Sequence, residues 1–401
     1  MPLFYVISHY SNLPFRAWEQ RKLGEVFTER SEKSSKGELI SVTISSGVIK
    51  ASELERKDIS SSDKSNYKVV KKGDIAYNSM RMWQGASGHS LFDGILSPAY
   101  TIITPKKNIS SKFISYIFKK HNMIQNFQRR SQGLTSDTWN LKFPALSGIK
   151  VKIPNYTEQA KISDFFQHID NTIALHQRKL DALKKMKKGF LQQMFPKSEE
   201  DVPKIRFTDF NGNWRQRKLE EVADRVRGND RRMELPTLTI SASKGWLNQH
   251  DRFFGNIAGK EQKNYTLLKK GQLSYNHGNS KSAKYGAVFV LRTYDEALVP
   301  RIYHSFKTNI LANSDFIEYL FATKIPDREL RKIVSSGARM DGLLNINFND
   351  FMSILIMLPF VEEQIKISNS LIRLDKIISL YQNKLDQLIK LKKAYLQYLF
   401  I

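Results

Sequence analysis

Two stretches of the chain share one pattern, and this pattern constrains how the chain folds. Residues 158–195 and 363–400 align without a gap, 205 positions apart. In both stretches apolar residues recur at alternating steps of four and three. This heptad spacing places a narrow apolar seam along an α-helix, as in helices that pack on a second helix. Both stretches are therefore predicted to be long helices, and each is the natural partner of the other.

The seam contains twelve apolar positions that we expect to pack the two helices. They are Ile162, Phe166, Ile169, Ile173, Leu180, Leu183, Ile367, Leu371, Leu374, Ile378, Leu385 and Leu388. The exceptions to the seam also match between the copies, because Lys187 and Lys392 occupy equivalent positions. A polar residue on a seam weakens packing and can fix the register, although a lysine stem can also lie along apolar surface with its amine in water.

The repeat extends far beyond the helices. Residues 18–26 (WEQRKLGEV) return as 214–222 (WRQRKLEEV), and residues 66–78 (NYKVVKKGDIAYN) return as 264–276 (NYTLLKKGQLSYN). Two copies with a period near 200 residues indicate a duplicated domain rather than a solenoid of short repeats. Each copy is predicted to be a globular domain followed by one long helix.

The globular parts are predicted to be α+β. Apolar and β-branched runs at 39–44, 74–77, 100–103 and 149–153 indicate strands, residues 111–130 indicate one helix, and Thr157 is a candidate N-cap of the first long helix. The predicted segments are a first globular domain (1–156), a first spacer helix (157–196), a connector (197–213), a second globular domain (214–360) and a second spacer helix (361–401).

The short connector favours an antiparallel helix pair. A helix of about 37 residues is about 55 Å long, and a parallel partner would require the connector to run back almost straight, at about 3.4 Å per residue. We therefore predict a coiled coil of two antiparallel helices that separates two similar heads with pseudo-twofold symmetry.

Charge and composition narrow the class of function. The chain has 64 Lys and Arg against 39 Asp and Glu, a net charge of +25, which favours a polyanionic partner, with nucleic acid first. It has no cysteine, so disulfides and thiolate metal sites are excluded. The opening residues lack the basic start and cleavage site of a signal peptide, and no run reaches transmembrane length. A cytoplasmic location without membrane contact is predicted.

The two predicted heads share a frame but carry different loops, and these loops supply the candidate DNA-contacting residues. Arginine, asparagine, glutamine and lysine are the side chains that read base edges or hold phosphates. The candidates in the first head are Asn78, Arg81, Trp83, Gln84, Gln132, Thr135 and Ser136. The candidates in the second head are Lys244, Asn276, His277, Asn279, Lys281 and Arg339. Different loops on one frame predict two different half-sites and hence an asymmetric, bipartite DNA target.

With its paired W-x-Q-R-K-L, K-K-G-[DQ] and E-Q-x-K-I motifs in order, nearly the whole chain resembles the specificity subunit of type I restriction–modification enzymes. The resemblance implies two DNA target-recognition domains, with conserved helices that set the gap between the half-sites. It also implies docking of two modification subunits, which are methyltransferases, and of ATP-dependent restriction subunits. S-adenosylmethionine, ATP and Mg²⁺ would belong to those partners, with no cofactor bound by this chain. Residues 1–15 depart from the pattern, since the second copy opens with Pro203-Lys204-Ile205-Arg206-Phe207.

The sequence lacks the common motifs of catalytic and metal-binding sites. It contains no G-x-x-x-x-G-K-[ST] loop, no N-P-P-[FY] or D-P-P-Y run, and no pair of histidines spaced for a helical zinc site. Residues 55–57 (ERK) and 261–263 (EQK) match the short acid-x-Lys element of nucleases, but they do not align between the copies. We therefore expect no catalytic and no metal site. Two alternatives stay open: an autonomous nuclease or methyltransferase with an unfamiliar site, and a non-specific architectural spacer.

Overall fold

A computed structural model describes residues 18–54, 61, 63–197, 200–253, 259–278, 280, 283–334 and 343–400. The chain forms two compact units. The first comprises Met1–Gln177 and Asn383–Ile401, and the second comprises Arg178–Gln382. Each unit therefore contains one head together with segments of both long helices. The divergent residues 1–15 and the 55–57 motif lie outside the described residues.

The first unit contains a four-stranded antiparallel sheet with strand order β2-β9-β6-β7, and three strand pairs, β1-β10, β3-β4 and β5-β8. Its strands are β1 (Glu19–Lys22), β2 (Phe27–Glu29), β3 (Ile40–Thr43), β4 (Gly47–Lys50), β5 (Lys68–Val70), β6 (Ile75–Asn78), β7 (Ser87–His89), β8 (Gly94–Leu96), β9 (Tyr100–Pro105) and β10 (Lys150–Ile153). All four strands predicted for this head are present. In β10, buried valine and isoleucine alternate with exposed lysines, as expected for a strand with one face on a core.

The helices of the first head are α1 (Leu23–Val26), α2 (Ser111–Ile117), α3 (His121–Arg130) and α4 (Phe143–Ser147), with short 3-10 turns at Ala51–Glu53 and Met82–Gln84. The prediction of a single helix over residues 111–130 is wrong, because the structure has two helices, α2 and α3, with a break between them. The backbone N–H groups of Lys119 and Lys120 bond to carbonyls three residues back, which tightens the chain into a turn. This break brings Phe118 edge-on to Phe127, with ring centroids 5.2 Å apart.

The second unit repeats this plan with strand order β12-β19-β16-β17 and strand pairs β11-β20, β13-β14 and β15-β18. Its strands are β11 (Arg215–Lys218), β12 (Ala223–Arg225), β13 (Leu238–Ser241), β14 (Gly245–Asn248), β15 (Thr266–Lys269), β16 (Leu273–Asn276), β17 (Ala287–Val290), β18 (Glu296–Val299), β19 (His304–Thr308) and β20 (Leu355–Leu358). The head helices are α6 (Leu219–Val222), α7 (Gln249–Phe253), α8 (Ser314–Ala322), α9 (Asp327–Ile333) and α10 (Phe348–Met352), with a 3-10 turn at Gly259–Asn264. The predicted duplication of an α+β domain is confirmed.

The long helices are α5 (Tyr156–Gln193) and α11 (Val361–Tyr398), each of 38 residues. Helix α5 starts one residue before the predicted N-cap Thr157. Instead, the Asn155 side chain accepts a hydrogen bond of 3.0 Å from the backbone N–H of Glu158 and caps the helix. Asparagine and threonine are both good N-caps. Asn155 takes this role because the chain enters the helix only two residues after the end of β10.

The predicted seam lies inside the structure along both long helices. Its buried members are Ile162, Phe166, Ile169, Leu180, Ile367, Leu371, Leu374 and Leu385. The other four, Ile173, Leu183, Ile378 and Leu388, are half-buried.

The two long helices run antiparallel. In the first unit α5 packs on the end of the stretch that contains α11, with 5.6 Å between the ring centroids of Phe166 and Phe400. In the second unit, the Lys184 amine bonds to Gln382 across the helix pair. Higher numbers on α5 meet lower numbers on α11, so the predicted antiparallel pairing is confirmed.

Each head has a root core formed against the long helices. In the first unit this core includes Leu23, Phe113, Phe166 and, from the end of α11, Phe400. In the second unit it includes Leu219, Phe316 and Leu371, with Phe195 from the end of the first helical stretch. Smaller apolar clusters lie between the strand pairs of each head, around Ile102 in one and Val299 in the other.

A buried glutamine fixes the start of each long helix. Gln159 is 1% exposed and Gln364 is fully buried. The Gln364 side-chain oxygen accepts from the backbone N–H of Asn313 at 2.9 Å, and its nitrogen donates to the carbonyls of Pro359 at 2.9 Å and Leu311 at 3.0 Å. Gln159 makes the equivalent three bonds in the first unit. The amide therefore ties the helix to its head by hydrogen bonds that only this geometry satisfies.

We expect Gln364→Leu to lower the free energy of unfolding by about 2–4 kcal/mol, because it removes the partner of three backbone groups at a buried position. Denaturant unfolding of the purified chain measures this loss. The matched control is Gln397→Leu, the same change at an exposed position of the same helix. An equal effect of the two substitutions would contradict the anchoring role of Gln364.

Candidate nucleic-acid interface

In the first head, two loops that the sequence separates are joined into one surface. We call residues 78–84 together with 131–140 the first loop surface. The backbone N–H of Leu141 donates to the carbonyl of Ser79 at 2.8 Å. The indole rings of Trp83 and Trp139 meet edge to face, with centroids 5.2 Å apart. These contacts join the two loops, which therefore present their side chains on one surface.

The candidates of the first loop surface differ in accessibility. Arg81 has 42% of its side chain exposed and lies 4.0 Å from the carboxylate of Asp137. Gln84, Gln132, Thr135 and Ser136 are exposed, whereas Asn78 and Trp83 are half-buried. The Trp83 indole N–H donates to the Met80 carbonyl at 3.1 Å. The exposed polar side chains are thus available to a ligand, and the tryptophan supports the loop that carries Arg81.

The second loop of this surface is held in shape by its own backbone. Gln132 and Asn140 exchange two backbone hydrogen bonds, of 3.1 and 2.8 Å. Gly133 has φ +143°, and a Cβ there would lie 2.6 Å from the Thr138 carbonyl oxygen, so only glycine fits. At the tip, Leu134 is entirely exposed. Sequence reasoning did not select Leu134 or Trp139, although two large apolar residues in a polar loop are the signal that could have identified them.

A half-buried lysine holds the other end of the first loop, residues 78–84, in place. The Lys119 amine donates to the carbonyl of Gly85 at 2.6 Å. Burial lowers the pKa of Lys119 to about 8, and the nearby positive charge of Lys392 acts in the same direction. The bond is to a main-chain oxygen, so it does not depend on which side chains the loop carries.

The loop after β6 in the first head and the loop after β16 in the second begin with the same turn. The side-chain oxygen of Asn78 accepts from the backbone N–H of Met80 at 3.0 Å, and that of Asn276 accepts from Gly278 at 3.0 Å. These are Asx turns, in which an asparagine side chain imitates the backbone. Asn276 also donates to the Ile240 carbonyl at 3.2 Å. An asparagine that makes the same turn in both heads shapes the loop and does not account for the difference between the two loops.

His277 occupies an interior position that the sequence did not reveal. It is 2% exposed, and its ring nitrogens lie 2.8 Å from the Leu344 carbonyl oxygen and 3.0 Å from that of Ile302. The Leu344 N–H donates in turn to the His277 carbonyl. The structure therefore corrects the choice of His277 as a base-contacting residue: it joins the loop after β16 to the segment before α10. Lys244 is exposed in the β13–β14 turn, whereas Asn279, Lys281 and Arg339 lie outside the described residues.

His277 stacks on a second buried histidine. The ring centroids of His277 and His304 are 5.0 Å apart, and the Nε2 of His304 lies 2.9 Å from the Ile346 carbonyl oxygen. Burial lowers the pKa of His304 to about 4. The neutral ring is thus the folded form near pH 7, with an Nε2–H that donates to Ile346.

This pKa gives the second head a defined acid sensitivity. His304 has a usual pKa of 6.5 and a folded value of about 4. Its contribution to stability is therefore fully present above pH 6.5 and is lost as the pH falls towards 4, by about 3 kcal/mol at most. We expect His304→Gln to flatten the dependence of the unfolding free energy on pH over this range. Chemical denaturation at a series of pH values measures it, and an unchanged slope would contradict the burial of a neutral ring.

Neither a metal centre nor a membrane helix emerges from the residues described. Within them, no three His, Cys, Asp or Glu side chains are grouped to hold a metal ion. None of the helices in the described part of the chain is long and apolar enough to cross a membrane. What the site offers is a polar loop surface on a fixed frame, in a chain of net charge +25.

Several known proteins are similar to this chain in sequence or in fold. A family model described as the type I restriction modification DNA specificity domain matches residues 16–185. The specificity subunit of type I restriction enzyme MjaVIII from Methanocaldococcus jannaschii is 23% identical over 351 residues, 82% of this chain and 79% of that protein. The putative MjaX specificity subunit of the same organism is 24% identical over 201 residues, covering 45% and 46%. The crystal structure of the type I S subunit from M. genitalium matches with a TM-score of 0.59 at 13% identity, covering 97% of this chain and 98% of that one.

Residues 16–185 match this family model, the second half of the chain repeats the first, and the fold is similar to that of a type I S subunit. The chain is thus similar along most of its length to specificity subunits of type I restriction–modification systems.

Proposed function

We propose that each head reads one half of an asymmetric, bipartite DNA site and that the paired helices α5 and α11 set the gap between the halves. The observation that carries the proposal is that two equivalent Asx turns, at Asn78 and Asn276, begin loops of unrelated sequence. One frame with two different loops supports two different half-sites.

The chemistry of the first loop surface supports base reading. Arginine and glutamine can each make two hydrogen bonds to one base edge in the major groove. Arg81 and Gln84 are accessible on a loop that Trp83, Trp139 and Lys119 hold in place. A supported loop loses little conformational entropy on binding, and its contacts therefore discriminate between bases more sharply.

The helices suit a gap-setting role because they are long and continuous. A 38-residue helix spans about 57 Å, whereas successive major grooves on one face of DNA recur about every 34 Å. We predict from the sequence a dumbbell with the heads at opposite ends, and this arrangement stays part of the proposal. Insertion of residues into the helices should change the gap without changing the bases of either half-site.

Catalysis is assigned to partner subunits in this proposal. Two modification subunits would supply S-adenosylmethionine and methylate adenine, and restriction subunits would supply ATP- and Mg²⁺-dependent translocation and cleavage. The specificity subunit would hold them on the DNA in the cytoplasm and bind none of their cofactors.

Methylome sequencing tests the proposal directly. In cells that express this chain with a modification subunit, we expect one split, asymmetric methylated-adenine motif that disappears when the chain is removed. The control is the same modification subunit expressed alone. Methylation that is independent of this chain would contradict the proposal, and methylation by the purified chain alone would favour an autonomous enzyme. Binding that is indifferent to DNA sequence would favour an architectural spacer.

A single substitution separates the half-sites. We expect Arg81→Ala to relax the preference at one position of one half-site by about 1–3 kcal/mol and to leave the other half-site intact, because the loops of the two heads are independent. Arg21→Ala is the matched control, since Arg21 lies in the same head with the same exposed side-chain fraction of 42% but outside the loop surface. Loss of both half-sites, or an equal effect of Arg21→Ala, would contradict base reading by Arg81.

A further inference from the structure

The seam lysines do not extend into water. The Lys187 amine bonds to the carboxylate of Asp375 at 2.5 Å, and the Lys392 amine bonds to Asp170. Both lysine side chains have 27% of their surface exposed. In each unit a lysine of one long helix thus meets an aspartate of the other.

A tyrosine from the head binds the same carboxylate. In the first unit the Tyr116 hydroxyl donates to Asp170 at 2.9 Å, and in the second unit the Tyr319 hydroxyl donates to Asp375 at 2.7 Å. Each lysine amine also lies over the tyrosine ring, 5.6 Å from the centroid of Tyr116 and 5.5 Å from that of Tyr319. We call each set of tyrosine, aspartate and lysine a node. Every node ties three elements together: a head helix and both long helices.

The tyrosines remain hydrogen-bond donors. Tyr116 is 8% exposed and Tyr319 is 5% exposed. Burial, followed by the adjacent aspartate, raises the pKa of both phenols, which therefore keep their protons. An ionised carboxylate that accepts from a phenol and an ammonium forms directional, charge-assisted bonds. Apolar contacts along the seam have no such direction.

Both nodes form in the same register of α5 against α11. Lys187 follows Asp170 by seventeen positions on α5, and Lys392 follows Asp375 by seventeen positions on α11. In an antiparallel pair, one alignment therefore satisfies both nodes, and a slip of one residue, about 1.5 Å, breaks both. An apolar seam alone tolerates shifts better, because its residues recur every three or four positions.

We infer that the two Tyr-Asp-Lys nodes are the positioning residues that restrict the DNA gap to a single length, by locking each head helix to the register of the helix pair. This inference rests on the proposed function. Without the nodes, the register of α5 against α11 would rest mainly on apolar contacts, and a displacement of about 3.4 Å would admit a gap longer or shorter by one base pair.

The test removes the charges of both nodes and measures the length of the gap between the two methylated half-sites. The variant carries Lys187→Met, Lys392→Met, Asp170→Asn and Asp375→Asn, which preserve side-chain length and leave the tyrosines an amide oxygen as acceptor. Expressed with a modification subunit, it should methylate the same two half-sites. The fraction of methylated sites whose gap differs by one base pair should rise about tenfold or more, as expected when charge-assisted bonds are lost. Circular dichroism and thermal unfolding check that the variant folds.

Two controls isolate the nodes. Lys187→Arg with Lys392→Arg keeps the charges and should keep the single gap. Lys112→Met with Asp164→Asn removes an ion pair of 3.2 Å between head helix α2 and α5 that does not reach α11, and it should also keep the single gap. If the neutralised variant does not fold, Tyr116→Phe with Tyr319→Phe decides, because it removes only the two hydroxyls and should widen the gap tolerance in the same direction.

The outcomes separate the inference from the function on which it rests. A folded variant with one unchanged gap length would overturn the inference alone, as would equal broadening in the Lys112/Asp164 control. Absence of any split motif with the unmodified chain would overturn the proposed function and the inference together. Broadened gaps with unchanged half-sites would establish the nodes as determinants of specificity.

Discussion

The root core of each unit depends on an aromatic side chain from the end of the other repeat's helical stretch. Phe400 stacks on Phe166 in the first unit, and Phe195 packs against Trp214 and Phe316 in the second. The long helices are therefore part of the heads' folding and not appendages to them. Because burial of one large aromatic contributes several kcal/mol, about 3–5 on truncation to alanine, each head is complete only when the antiparallel pair has formed.

Polar groups inside this apolar frame recur at equivalent positions and define its geometry. Gln159 and Gln364 each satisfy three backbone groups at a helix start. Asp170 and Asp375 each accept from a tyrosine and a lysine. Buried polar groups stabilise only when all their bonds are made. They therefore select one arrangement among the many that heptad packing alone permits.

The sequence predicted the duplicated α+β heads, four strands of the first head and the antiparallel helices, because each leaves a periodic or repeated signal. It missed features that depend on contacts between distant segments. The capping role fell to Asn155 because of the path of the chain out of β10, and His277 is interior because residues near Leu344 fold over it. The edge-to-face pair of Trp83 and Trp139 joins loops more than fifty residues apart, and no local pattern announces it.

The bonds that hold the loops after β6 and β16 end largely on main-chain oxygens. Lys119 binds the carbonyl of Gly85, and His277 faces the carbonyls of Leu344 and Ile302. A carbonyl group is present whatever amino acid occupies the position. Mutations in the exposed loop residues therefore leave these supports intact, and the loop surface of one head can change while that of the other stays as it is. Such a scaffold can diversify during evolution one loop at a time, and under the proposed function each change would alter one half of the target.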